Sequence, residues 1–173
     1  MIRVLIVDDS SLVRKVLSEE LSKFNDVEVV GTAEDPYAAR EKIVALKPDV
    51  ITLDIEMPKM NGLEFLEKLM AHYPIPVIIV SSLAPENSAT AIKAFDLGAV
   101  DVICKPGSMY STPDVSTRLI HSIRAAAIAK INGKIYRKDI NQVIPKIQPS
   151  FLSFNKIIAI GASTGGPQAI QEI

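Results

Sequence analysis

A doubly wound α/β domain with a parallel sheet is predicted by three features of the 173-residue sequence. Five short apolar runs recur along its first part, helix-period segments separate them, and four of the runs close on acidic, hydroxyl or basic residues. Strands joined in this way need right-handed crossovers, which put helices on both faces of the sheet and all carboxyl ends of the strands on one edge. Among such folds the flavodoxin-like strand order 2-1-3-4-5 is expected, with its ligand site at those carboxyl ends.

The elements follow in order. Ile2 to Val7 is an apolar run ending in Asp8-Asp9, suited to a buried parallel strand. Ser10 or Ser11 caps the next helix, in which Leu12, Val16 and Leu21 recur near helical spacing. Val27 to Val30 is the second strand. Asp35-Pro36 starts a helix, proline being tolerated in the first turn, and Ile43 and Leu46 carry its buried face. Pro48 stops that helix, and Val50 to Leu53 is a third strand ending at Asp54. Asn61-Gly62 precedes a helix with Leu63, Leu66 and Leu69 on one side. Pro76 leads into the fourth strand, Val77 to Val80, followed by Ser81. Ala89 to Leu97 is helical with Gly98 as its C-cap, Val100 to Cys104 is the fifth strand, and Ser116 to Ile131 is the fifth helix.

After Ile131 the texture changes. Residues 132–155 mix polar and basic residues with prolines and show no sustained period, which reads as a linker. Lys156 to Ile160 is a new apolar strand, and GASTGGPQAIQEI reads as a tight turn and a helix start. Residues 156–173 are thus expected to be the start of a second, truncated α/β domain, too short to bury a core of its own.

Composition excludes several classes. The hydrophobic fraction of 48% and charged fraction of 23% are those of a globular protein, and the net charge of −1 calls for neither nucleic acid nor an anionic membrane as partner. A single cysteine, Cys104, allows no internal disulfide, and it reads as a small packed hydrophobe. The N-terminus has no signal-peptide pattern, and no apolar run approaches the about 20 residues that span a bilayer. A soluble cytoplasmic protein without membrane insertion is expected.

The chemistry should lie where strand ends converge. Asp8 and Asp9 end the first strand, Asp54 the third, Ser81 the fourth and Lys105 the fifth. Crowded carboxylates raise one another's pKa unless a cation neutralises them, and a hard divalent ion with oxygen ligands is the natural partner. Mg²⁺ suits a site of few carboxylates, because it keeps waters and takes a phosphate oxygen. Asp54 then offers a carboxylate nucleophile, Asp8 and Asp9 hold the metal (Asp9 more directly), and the backbone carbonyl of Glu56 adds a ligand. Lys105 and Ser81 serve the phosphoryl oxygens. An acid at a strand end often only caps the next helix, and a Lys-Pro often only makes a surface turn. The conjunction of all four strand ends carries the reading.

This constellation resembles the receiver domain of two-component response regulators over about residues 1–131. The motifs are VLIVDDS at Val4–Ser10, DVITLDIEMPKMNG at Asp49–Gly62, VIIVSS at Val77–Ser82 and GAVDVICKP at Gly98–Pro106. The resemblance implies a sensor histidine kinase as phosphoryl source, Mg²⁺ bound by Asp8, Asp9 and Asp54, and Ser81 and Lys105 in the switch and lysine places. Many receivers carry Tyr or Phe three residues before the lysine. Val102 stands there in this sequence, and a valine has no ring to swing between rotamers. The loops after strands three and four are left to carry the signal.

Ser163, between glycines and between a strand and a helix, admits three readings: a serine nucleophile, a phosphate-binding loop, or a plain turn with a helix cap. A receiver, a linker and IGASTGG together resemble the chemotaxis response-regulator methylesterases (protein-glutamate methylesterase/protein-glutamine glutaminase). DIEMP and VSSL are also typical of their receivers. That resemblance implies methylated chemoreceptors as substrates, Ser163 in the nucleophile place of a Ser-His-Asp triad, and a receiver that covers the esterase site until phosphorylated. The triad His and Asp should follow far downstream. Only His72 and His121 occur, both on receiver helices, so no esterase activity is expected of this chain. Lys134, Arg137, Lys138 and Lys146 read as solvation of the linker. Two other functions compete. A haloacid-dehalogenase-type phosphatase would need Asp-x-Asp after its first strand, where this chain has Asp-Asp. A receiver serving a transcriptional output would need a DNA-binding module after Ile131, and a linker, strand and GASTGG do not provide one.

Overall fold

A computed structural model describes residues 1–82, 89–105 and 112–128. The linker and second-domain expectations, including Ser163, lie outside the described residues, as do Pro106 and Ile131.

Strands β1 (Ile2–Val7), β2 (Val27–Ala33), β3 (Val50–Leu53), β4 (Val77–Ser81) and β5 (Asp101–Cys104) alternate with helices α1 (Ser11–Leu21), α2 (Pro36–Leu46), α3 (Gly62–His72), α4 (Ala89–Asp96) and α5 (Thr112–Ile128). The sheet is parallel throughout in the order β2-β1-β3-β4-β5. This is the expected flavodoxin-like order. β3 and β4 are buried along their whole length, as a sheet covered on both faces requires. Alternation splits the core into two layers. Leu5, Val7, Ile51, Leu53, Val77, Ile79 and Val102 face α2, α3 and α4 residues such as Ile43, Leu66 and Ala94. Val4, Ile6, Val50, Ile78, Val80 and Ile103 face α1 and α5 residues such as Leu17, Leu21, Leu119 and Ile123.

Local chemistry starts the helices where expected. The Ser10 side chain accepts from Val13 N at the head of α1. Asp35 accepts from Tyr37 N and Ala38 N ahead of Pro36, and Asn61 accepts from Leu63 N. Gly98 sits at φ +98 after α4, the left-handed conformation a glycine C-cap supplies.

The departures have physical causes. β2 continues through Gly31, Thr32 and Ala33, because a register shift between Val4 and Leu5 lets the pairing skip a residue and resume. Leu12 is 68% exposed, and α1 instead buries Leu17 and Leu21, with Val13 packed beside them on the same layer. α5 begins at Thr112, four residues before Ser116, and β5 begins at Asp101 rather than Val100. No helix among the described residues is long and apolar enough to cross a membrane.

Candidate functional site

The sheet itself places the acids. Asp8 N donates to Ala33 O at 3.0 Å, carrying the β1–β2 ladder one residue past Val7. Asp54 N donates to Val7 O at 2.9 Å, and Lys105 N to Ser81 O at 3.2 Å. Each chemistry-bearing residue is thus the first past the end of its strand, pinned by its neighbour's backbone, and all three lie on one sheet edge.

The side chains then converge. Lys105 Nζ lies 2.7 Å from Asp8 Oδ2 and 2.8 Å from Asp54 Oδ2. The remaining carboxylate oxygens accept from backbone: Asp8 Oδ1 from Ser10 N at 2.9 Å, and Asp54 Oδ1 from Ile55 N at 2.7 Å. Asp8 and Asp54 are buried, whereas Asp9 is exposed. One carboxylate oxygen from each of Asp8, Asp9 and Asp54 lies within 4.8 Å of the others. Ser81 is fully buried at the end of β4, and its Cα pairs in register with Cys104. Glu56 is exposed two residues after Asp54. Val102 is buried in the layer facing α3 and α4, and His72 and His121 lie exposed on α3 and α5.

Electrostatics follow from this packing. Burial pushes the Asp8 carboxyl above the usual carboxylate range, and the hydrogen bond and charge of Lys105 offset only part of that. Burial alone would lower the Lys105 ammonium. Its hydrogen bonds to Asp54 and Asp8, together with the charges of both carboxylates, outweigh that and raise it. Three acids facing one ammonium leave an excess of negative charge, and every donor atom in the cluster is a hard oxygen. Such a set fits Mg²⁺.

Gly62 closes the wall beside Asp54. A Cβ there would lie 2.0 Å from Asp54 O and 2.8 Å from Ile55 Cα, while Gly62 N donates to Ile55 O at 2.9 Å. The loop between them is tied by Lys59, whose ammonium bonds Asp35 Oδ2 from a backbone at φ +70. Arg14 Nη1 donates to Asp8 O at 2.7 Å and to Asp9 O at 3.0 Å. Neither contact was visible in the sequence, because each depends on where a loop turns.

An acidic edge bridged by one lysine, on a parallel sheet of this order, defines a signalling receiver. The chain belongs to the response regulator receiver domain family, whose pattern matches residues 4–112. Its similarity extends to CheB-type chemotaxis response regulators. It is 55% identical over 177 residues to protein-glutamate methylesterase/protein-glutamine glutaminase 2 of Syntrophus aciditrophicus (strain SB), across 99% of this chain and 50% of that protein. The response regulator domain of Thermotoga maritima CheB matches at 46% identity with a TM-score of 0.70, over 75% of this chain and 98% of that one. A chain from the complex of the P1 domain of CheA3 with CheY6 from R. sphaeroides matches at 32% identity and a TM-score of 0.62, over 74% and 98%. The chain spans about half the length of the curated relatives it matches.

Proposed function

We propose that this chain is the phosphoacceptor receiver of a chemotaxis response regulator and takes a phosphoryl group from a sensor histidine kinase onto Asp54. The observation that supports this best is the Lys105 ammonium shared between Asp54 and Asp8. A carboxylate oxygen of Asp54 attacks phosphorus as the bond to the kinase imidazole nitrogen breaks, the electron pair leaving with that nitrogen. Lys105 exchanges its Asp54 contact for a phosphoryl oxygen, and the Ser81 hydroxyl donates to another. Asp8, Asp9, Asp54 and the Glu56 backbone carbonyl would hold Mg²⁺. That ion supplies charge neutralisation for the phosphoryl oxygens.

The buried Val102 has no ring to reorient, so the loops after β3 and β4 relay the change. Residues 1–131 act as receiver, 132–155 as linker and 156–173 as the opening of a methylesterase domain. In the whole protein, phosphorylation relieves inhibition of an esterase and glutamine deamidase acting on methylated chemoreceptors in the cytoplasm. Ser163 is its nucleophile only where a triad His and Asp accompany it. Within these 173 residues the histidines are His72 and His121, both exposed on receiver helices. Neither a nucleic-acid nor a membrane partner is part of this reading.

Transfer from a kinase domain carrying radiolabelled phosphohistidine tests it. Label is expected on the unaltered chain with Mg²⁺ and not on Asp54→Asn. Equal labelling of both removes Asp54 from the role.

A further inference from the structure

The acid pair has a problem that the strands alone do not solve. Asp8 is pinned by Ala33 and buried, but Asp9 is exposed on the turn that leaves β1, and it is one of the three carboxylates within 4.8 Å of one another. A carboxylate on an untied turn loses affinity for a cation through the cost of ordering it. The turn is tied, however, by a side chain that reaches back from α1. Arg14 lies one turn into α1 and sends Nη1 back to the carbonyls of Asp8 and Asp9, at 2.7 and 3.0 Å. The origin of that reach is itself fixed. Arg14 N donates to Ser10 O at 3.0 Å, the Ser10 hydroxyl caps α1, and Ser10 N holds Asp8 Oδ1 at 2.9 Å. Asp8, Ser10 and Arg14 therefore close a ring of hydrogen bonds around the peptide that joins the two acids.

We infer that Arg14 is a positioning residue for the metal site: through the backbone of Asp8 and Asp9 it holds both carboxylates ready for the cation. The inference rests on the reading of Asp8, Asp9 and Asp54 as Mg²⁺ ligands. It makes a prediction whose sign separates it from simple electrostatics. A positive charge beside a cation site repels the cation, so removing Arg14 would tighten Mg²⁺ binding if charge were its only role. If it preorganises the acids, removing it weakens binding. Residues that orient ligands from behind typically matter by about tenfold or more in metal affinity.

The test is titration of the 173-residue chain with Mg²⁺ alone, followed by backbone amide ¹H–¹⁵N shifts, which report the fold and the dissociation constant together. Arg14→Met is expected to bind Mg²⁺ about tenfold more weakly with unchanged shifts in β3 to β5, and Arg14→Lys, which keeps the charge and one donor group, to fall between. Equal or tighter binding by folded Arg14→Met overturns the inference and leaves the metal reading intact. Should Arg14→Met not fold, Arg14→Lys decides: weaker Mg²⁺ binding supports the positioning role, and unchanged binding overturns it. Absence of Mg²⁺ binding by the unaltered chain overturns the metal reading and this inference with it.

Discussion

Lys105 Nζ sits 2.8 Å from Asp54 Oδ2 while holding Asp8 Oδ2 at 2.7 Å, so one ammonium bridges two buried acids from different strands. Removing it has two opposed consequences. The acids lose their counter-charge and should take up Mg²⁺ more readily, yet the phosphoryl oxygens lose a donor. Lys105→Met is therefore expected to bind Mg²⁺ more tightly and to phosphorylate about a hundredfold more slowly with a small acyl phosphate, the loss typical of one missing oxyanion donor. Calorimetric titration and single-turnover phosphorylation read the two effects separately. A variant phosphorylated at the normal rate would remove Lys105 from the chemistry.

Gly62 offers a structural test of the same wall. A methyl group there meets the backbone of Asp54 and Ile55, which cannot give way as a flexible side chain would. Gly62→Ala is expected to lower unfolding free energy by about 2 kcal/mol and to slow phosphorylation, since relief requires moving the backbone of the proposed phosphoacceptor, Asp54. Urea denaturation checks the first. Unchanged stability would mean that the α3 start relaxes freely.

Thr52 predicts the opposite sign. Its Oγ1 is buried without a hydrogen-bond partner among the described residues, on the central strand β3. Thr52→Val keeps the shape and deletes the orphaned hydroxyl, so a gain of about 1 kcal/mol is expected. A loss of stability in urea would show that the hydroxyl is satisfied in solution.

The Asp35–Lys59 contact sets a pH dependence. The Lys59 hydrogen bond, helped by Ala38 N–H, holds the Asp35 carboxyl below the usual carboxylate range. A lowered folded-state pKa means that ionised Asp35 stabilises the fold above the unfolded value of 3.8, and that this contribution drains away as pH falls through the folded value. Asp35→Asn retains a capping oxygen and loses the charge. It should melt lower than the unaltered chain at pH 7, and the gap should narrow as pH falls through the folded value of Asp35. A gap constant with pH would assign the whole effect to capping.

Much of this architecture was legible in the sequence. Apolar runs closed by Asp8, Asp54, Ser81 and Lys105 marked the strands and which residues would share one edge, because in a parallel sheet position along the chain translates into position on that edge. Caps at Ser10, Asp35 and Asn61 were local and equally readable. What escaped was non-local or a matter of phase. Leu12 reads as core on spacing alone, but the buried face of α1 runs through Val13, Leu17 and Leu21 and leaves it exposed. The start of α5 was misplaced although Thr112-Pro113 is itself a helix-start signal. The extension of β2 depends on a register shift opposite it, and the contacts of Arg14 and Lys59 depend on how two loops fold back.

The central claim is that Asp54 accepts a phosphoryl group in a site built from Asp8, Asp9 and Lys105. Intact-mass spectrometry of the chain after incubation with Mg²⁺ and a small acyl phosphate tests it most directly. The account predicts a gain of one phosphoryl group that needs the metal and is absent in Asp54→Asn. No gain by the folded chain under any metal condition, or a gain that persists in Asp54→Asn, would contradict it.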